Sequence, residues 1–449
     1  MLFRSSHIKR NEGAVINTGQ KYWKRAKKVI PFGNHLLSKN PEYILPEIWP
    51  SYFSKARGVH VWDLDNDKHL DMSLMGVGTN SLGYGNKFVD SAVKQAITKG
   101  NMSTLNCVEE IFLAERLISL HKNFTKVRFA RSGGEANSIA VRIARAATGK
   151  DEIAICGYHG WHDWYLSANL EKEQNLSKLL MPGLAPIGVP KALQNTAKVF
   201  HYGNQVEFDN SLTENTAAVI MEFARSKVPD LEFLEYVRRK TKDLGIVLIF
   251  DECSTGFRET FGGMHLKYNI LPDMVMYGKT LGNGYAITAV LGIEDVMTAT
   301  NRTFVSSTFW TERIGYTAGL ATLKEMEKIK SWELITSIGL KMQNLWQKTA
   351  TEFGIDIKVL GYPAISSFVF NSENSLLLKT YFTQEMLKHK ILGTTIFYSS
   401  TEHKKIHLDK YAEVLSGIFK RIAESKFDSN NQEVALDGPV SKTGFGRLN

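Results

Sequence analysis

The chain is poor in cysteine: Cys107, Cys156 and Cys253 are the only three in 449 residues. They lie far apart, form no CxxC pair, and suit a reducing compartment rather than a disulfide framework. No apolar run approaches the roughly 20 residues needed to span a bilayer. The start, from Met1 to Arg10, has no apolar signal core, so the expectation is a cytoplasmic protein with no membrane partner. Internal repeats and low-complexity tracts are also missing. The net charge of +9 and pI near 9.1 are basic. Yet Lys and Arg are scattered, with no basic run interleaved with aromatics, which argues against a nucleic-acid partner. A basic surface that helps an anionic ligand approach fits better. Gly83-Tyr84-Gly85 is the glycine pair of note, but the rest of a dinucleotide fingerprint is missing and no P-loop is present.

What is present is an ordinary globular composition, 43% hydrophobic and 22% charged, in a chain long enough for two or three units. Short apolar runs at Val127–Ala130, Ile153–Cys156, Ala217–Met221, Ile246–Phe250, Met274–Met276 and Ile287–Leu291 alternate with helical patterns. That rhythm predicts an α/β fold with a mostly parallel sheet covered on both faces. Ligands of such sheets bind beyond the carboxyl ends of the strands. Val59 to Leu70 reads as a hairpin, and from Trp332 onward the pattern is that of a smaller α+β unit, with a strand at Ile365–Phe370. The segment from Asp428 to Glu433 reads as a polar loop before the tail. The expected division is an N-terminal segment 1–70 that joins the small domain, a large domain 71–330, and a C-terminal small domain and tail 331–449.

Chemically suggestive residues follow the apolar runs. Lys279 sits between Met276-Tyr277-Gly278 and Thr280-Leu281-Gly282-Asn283-Gly284, a poor setting for a solvated charge. Asp251 ends the run Ile246–Phe250. Together they suggest an amine that forms a Schiff base and a carboxylate that holds a protonated ring nitrogen, the protein's share of pyridoxal phosphate (PLP) chemistry. The plainer alternatives are a lysine packed at the sheet edge and an aspartate that caps a helix. Ser132-Gly133-Gly134-Glu135 opens an amphipathic helix with Ala136, Ile139, Ala140, Ile143, Ala144 and Ala147 on one face, a start that suits a phosphate. Tyr158 to Tyr165 is dense in aromatic and polar groups. It reads as a ring stacked on a planar cofactor with Tyr158 in that role, as a metal set of His159, His162 and Asp163, or as an aromatic loop at a domain interface. His403 and His407 read as decoration of a helix end.

From about Gln20 to His403 these motifs, in this order and spacing, resemble the class III PLP-dependent aminotransferases, most closely the glutamate-1-semialdehyde 2,1-aminomutase branch. The resemblance runs through Val61-Trp62-Asp63-Leu64-Asp65, Ser132 to Ala136, Tyr158-His159-Gly160 and Met221-Glu222. It continues through Phe250 to Arg258, Gly278 to Gly284 and Ser307-Thr308-Phe309. It implies PLP transferase fold type I, working as a homodimer with shared active sites. It implies that Ser132, Gly133 and Gly134 hold the phosphate, Tyr158 stacks on the ring, and His159 and Glu222 belong to the cofactor site. By the same resemblance Asp251 pairs with the ring nitrogen, Cys253 takes the usual valine place behind the ring, Lys279 forms the Schiff base, and Thr308 reaches the neighbouring subunit's phosphate.

Departures from the family pattern concern the substrate more than the cofactor. Gly134 replaces the usual threonine or serine and removes one hydroxyl from the phosphate cup. Phe223 stands where proline follows the glutamate, Arg225-Ser226-Lys227 replaces Ala-Gly-Asn, and Trp161 stands where the aminomutases carry histidine. Glu312-Arg313 replaces Asn-Pro, and Lys39 is the nearest counterpart of the aminomutases' N-terminal arginine that binds substrate carboxylate. These differences point away from glutamate semialdehyde itself. The expected activity is transfer of an amino group from a small amino donor to a carbonyl acceptor through Lys279 and pyridoxamine phosphate, with no metal. An intramolecular aminomutase is the alternative, and a non-catalytic PLP-binding scaffold a remote one.

Overall fold

A computed structural model describes residues 17–172, 174–180, 182–224, 228–425 and 435–444. Three strands come first: β1 (Phe53–Arg57), β2 (His60–Asp63) and β3 (Lys68–Asp71). The next seven are β4 (Lys126–Ala130), β5 (Glu152–Cys156), β6 (Ala197–Val199), β7 (Thr216–Glu222), β8 (Val247–Glu252), β9 (Met274–Tyr277) and β10 (Thr288–Gly292). These form one sheet in the order β4-β10-β9-β8-β7-β5-β6. Pairing is parallel except along β10, which runs antiparallel to both β4 and β9. The short strand β6, which the sequence pattern does not announce, lies outside β5 while β7 lies inside it. The strand order therefore reverses at β5, where an open α/β sheet forms a crevice.

The central strands are buried along their whole length, as β7 and β8 show. Val219, Met221, Leu248 and Phe250 pack into one core, and Ala218, Ile220, Val247 and Ile249 into the core on the opposite face. Such two-sided burial explains why these strands read as continuous apolar runs rather than alternating ones.

The flanking segments combine. Strands β11 (Ile357–Tyr362), β12 (Ile365–Phe370), β13 (Ile391–Leu392) and β14 (Ile396–Tyr398) complete the set. Strand β13 pairs in parallel with β3, so the N- and C-terminal parts share the sheet β1-β2-β3-β13. Met72, Met342, Trp346, Phe368, Phe382 and Phe419 belong to one further core. His403 lies inside this region rather than at a helix surface. It is buried, its Nε2 lies 2.9 Å from the Asp71 carbonyl, and its Nδ1 accepts from the Ser400 N–H. His407 does sit at a helix end, where its Nδ1 accepts from the Lys404 N–H at the start of Lys405–Glu424. The polar segment Asp428 to Glu433 lies outside the described residues.

Glu252 shows how one strand serves two layers. Successive strand residues point to opposite faces, so Glu252 turns away from Asp251. It accepts from the Met264 N–H, from Thr255 Oγ1, and from both the N–H and ring Nδ1 of His265, the last at 2.6 Å. Burial pushes its carboxyl up, but His265 and the two backbone N–H groups outweigh burial and hold it below its ordinary range. Glu252→Ala removes all these acceptors and leaves His265 buried beside a void. Urea denaturation should show a loss of about 3–5 kcal/mol, seen as a lower midpoint at unchanged slope.

Candidate active site

The chemistry gathers at the carboxyl edge of the large sheet. After β4 the chain turns at Ser132, which caps the helix Gly133–Thr148 through a reciprocal capping box with Glu135. The Glu135 carboxylate accepts from the backbone N–H groups of Arg131 and Ser132. The Ser132 hydroxyl is thus committed to the cap. The N–H groups of Gly133 and Gly134, at the first two helical positions, keep no hydrogen-bond partner among the described residues.

At the end of β8, Asp251 is 4% exposed and accepts from three groups. Its Oδ2 lies 2.8 Å from His159 Nδ1 and accepts from Asn137 Nδ2 at 2.8 Å, while Oδ1 accepts from the Cys253 N–H at 3.0 Å. Burial pushes this carboxyl up. The His159 contact, the Cys253 N–H and Asn137 outweigh that and keep it below the ordinary carboxylate range. His159 comes from the loop after β5 and Asn137 from the helix, so one carboxylate ties three elements together.

Lys279 follows β9, is half-buried, and donates from Nζ to Ser254 Oγ at 2.5 Å. Cys253 is its neighbour across the site. A Cβ added to Gly133 would meet Cys253 Sγ at 3.5 Å, and one added to Gly278 would meet it at 3.1 Å. Helix start, strand end and lysine turn therefore converge on Cys253. Glu222, at the end of β7, accepts from the Tyr158 N–H at 3.1 Å. Gly157 leaves it room, since a Cβ there would come within 2.7 Å of Glu222 Oε2. The Tyr158 ring is 39% exposed and sits edge-on to Tyr165 at 6.2 Å.

The metal reading of the aromatic loop does not fit. His159 is committed to Asp251, and His162 packs on Gly134. Asp63, Asp67 and His69 form the one His/Cys/Asp/Glu set among the described residues close enough for an ion. Turn hydrogen bonds account for Asp63, which accepts from the Asp65 and Asp67 N–H groups and contacts His69 Nε2 at 2.9 Å.

Thr308 is exposed on the turn Thr308–Thr311, and no hydrogen bond connects it to Gly133 or Gly134 of its own chain. Glu312 pairs with Arg131 and Arg313 with Glu109. Phe223 is buried and stacks on Tyr268. Arg225, Ser226 and Lys227 lie outside the described residues. Lys39 lines a cavity of about 440 Å³ between the N-terminal segment and the loop 73–80, together with Asp71, Asn80, Tyr84 and Gly284.

Sequence reading missed Asn137 and Ser254. A polar residue beside Ala136, Ile139 and Ala140 on the buried helix face is a detectable signal for Asn137; Ser254 carries none. The donor set nevertheless suits PLP. It offers two unpartnered N–H groups at a helix start for a phosphate, a buried ionised carboxylate for a pyridinium, and an amine for an aldehyde.

Known proteins resemble this chain in both sequence and fold. The family model Aminotransferase class-III matches residues 47–371. The chain is 28% identical over 383 residues to 3-aminobutyryl-CoA aminotransferase of Cloacimonas acidaminovorans, covering 82% of this chain and 88% of that one. It is 33% identical over 324 residues to glutamate-1-semialdehyde 2,1-aminomutase of Sulfolobus acidocaldarius, covering 69% and 74%. The FumI protein of Sphingopyxis sp. MTA144, solved in its PLP internal aldimine form, superposes with a TM-score of 0.82 at 22% identity over 91% of this chain and 97% of that one. At that identity the likeness speaks for the fold.

The state of Asp251 predicts an acid limit. Its folded value lies below the ordinary 3.8, so its contribution is fully present above that pH and is lost as pH falls through the lower folded value. Glu252 acts likewise below its ordinary 4.5. In cofactor-free protein, Asp251→Asn should flatten the fall of stability below about pH 4. Denaturant midpoints measured from pH 3 to 7 would check this.

Proposed function

The chain belongs to the class III aminotransferases, and from that membership we propose how its residues carry a PLP-dependent amino transfer. The enzyme moves an amino group from an amine donor to a carbonyl acceptor. When bound, the cofactor supplies a conjugated ring that accepts electrons from the bond being broken. Lys279 Nζ would hold the cofactor aldehyde and, freed by an incoming amine, would move a proton between the substrate carbon and the cofactor carbon. Ser254 Oγ, 2.5 Å away, orients that amine. Asp251, kept ionised by its hydrogen bonds, would pair with the ring nitrogen and keep it protonated. His159 and Asn137 act as positioning residues for Asp251.

The N–H groups of Gly133 and Gly134 would hold the phosphate, and Ser132 fixes their turn through its cap. Tyr158 would cover one face of the ring and Cys253 the other, while Glu222 anchors the Tyr158 loop. The observation that carries this reading is the convergence of Asp251, Cys253, Lys279 and the helix start on one sheet edge.

We propose a homodimer as well. Leu105, Phe304 and Phe309 are 81%, 82% and 70% exposed, an apolar load unusual on a monomer's surface. The two segments form one surface, because the Arg313 N–H donates to the Asn101 carbonyl and Asn101 Nδ2 to Glu312. Thr308 lies on that surface, which supports its reaching a neighbour's cofactor phosphate. The sheet and core shared by β3 and β13 support a small domain built from residues 1–70 and 331–449 around a cofactor-carrying unit 71–330. Lys39, in the cavity that Gly284 also lines, is the candidate anchor for a substrate carboxylate.

A half-reaction separates transaminase from aminomutase. Mixing holoenzyme with amino donors and no acceptor should release one keto acid per site; turnover of an amino aldehyde alone, with no donor active, would establish the aminomutase. Lys279→Ala should lower the rate by about 10²–10⁴-fold. Light scattering should give twice the chain mass for the native protein, and Leu105→Asp/Phe309→Asp should yield monomers.

A further inference from the structure

Gly134 stands where the resemblance calls for a threonine or serine, so the phosphate cup lacks a hydroxyl. The structure fills that volume with an imidazole. A Cβ added to Gly134 would stand 2.8 Å from His162 Cε1 and 3.0 Å from His162 Nδ1. Any side chain at position 134 would therefore collide with this ring. Two contacts hold the ring there. Trp161, although 70% exposed, stacks on it at 4.4 Å and 21°. The preceding turn is pressed against the helix start: Gly160 has φ 111°, and a Cβ on it would come within 2.9 Å of the Gly134 Cα. Only glycine meets both conditions there.

His162 Nδ1 is shielded from solvent and has no hydrogen-bond partner. A buried ring nitrogen left unpaired is unfavourable, and such groups call for a partner. Here the orphan atom lies against Gly134, whose N–H, like that of Gly133, also lacks a partner among the described residues.

We infer that His162 Nδ1 donates to the cofactor phosphate and takes over the part of the missing Gly134 hydroxyl. The inference rests on the reading of the Gly133–Gly134 turn as the phosphate site. Burial lowers the affinity of this ring for a proton, against the opposing charges of Glu135 and Asp163. The ring therefore enters as neutral imidazole, and its Nδ1–H tautomer is the donor. His162 is a positioning residue for the cofactor and takes no part in proton transfer at the substrate carbon.

PLP and pyridoxal, which differ only in the phosphate, provide the test. Both are titrated onto the full-length cofactor-free chain, with folding of each variant checked by circular dichroism. The native protein should bind PLP far more tightly than pyridoxal. His162→Ala and His162→Phe should each lose about ten- to a hundredfold in PLP affinity with pyridoxal affinity unchanged. Because the phenyl ring fills the space without donating, its loss would separate hydrogen bonding from packing. His162→Ala/Gly134→Thr should recover most of the affinity by restoring the hydroxyl. If both single variants keep the native ratio of PLP to pyridoxal affinity, or lose both affinities equally, His162 is a packing residue and the inference fails while the cup stands. If the native protein does not distinguish PLP from pyridoxal, the cup reading fails, and this inference with it.

Discussion

A single buried carboxylate, Asp251, organises the site. Ionised at the end of a fully buried strand, it is stable because three donors meet it: His159, Asn137 and the Cys253 N–H. Those donors come from the loop after β5, from the helix Gly133–Thr148 and from the turn just after β8. Satisfying one charge therefore fixes how three elements meet at the sheet edge. The helix start, with its two unpartnered N–H groups, is held in place by the same bonds.

Next to it, Glu252 meets the opposite core and binds His265. Two adjacent carboxylates thus bind the strand end to the layers above and below the sheet. The interior is costly for both charges, and each is retained where a full set of donors compensates. The difference between them is functional. Asp251 lies on the face where Cys253 and Lys279 converge, whereas Glu252 is enclosed by its own fold and has no access to a ligand.

Much of this was legible in the sequence. Lys279 and Asp251 could be read because a charge beside a buried apolar run needs a reason, and the sheet strands because double-sided burial removes polar residues from them. Strand β6 was not, since three residues leave too short a pattern. The inner place of His403 was hidden as well: its partners, the Asp71 carbonyl and the Ser400 N–H, are backbone groups without a sequence signature. The role of His162 was half visible. The missing hydroxyl at Gly134 and the histidine in the aromatic loop were both on the page, but twenty-eight positions separate them, and only folding puts the ring against the glycine. Likewise Glu312 and Arg313 stand out in the sequence only as departures from the family pattern, and folding alone reveals their partners Arg131 and Glu109.

The central claim is that Lys279 is the amine that carries the cofactor, opposite an ionised Asp251. Borohydride reduction of the PLP-loaded protein followed by peptide mass mapping tests it most directly. The account predicts a phosphopyridoxyl label on the peptide containing Lys279 and on no other. A label on a different lysine, or none on a protein that has taken up PLP, would contradict it.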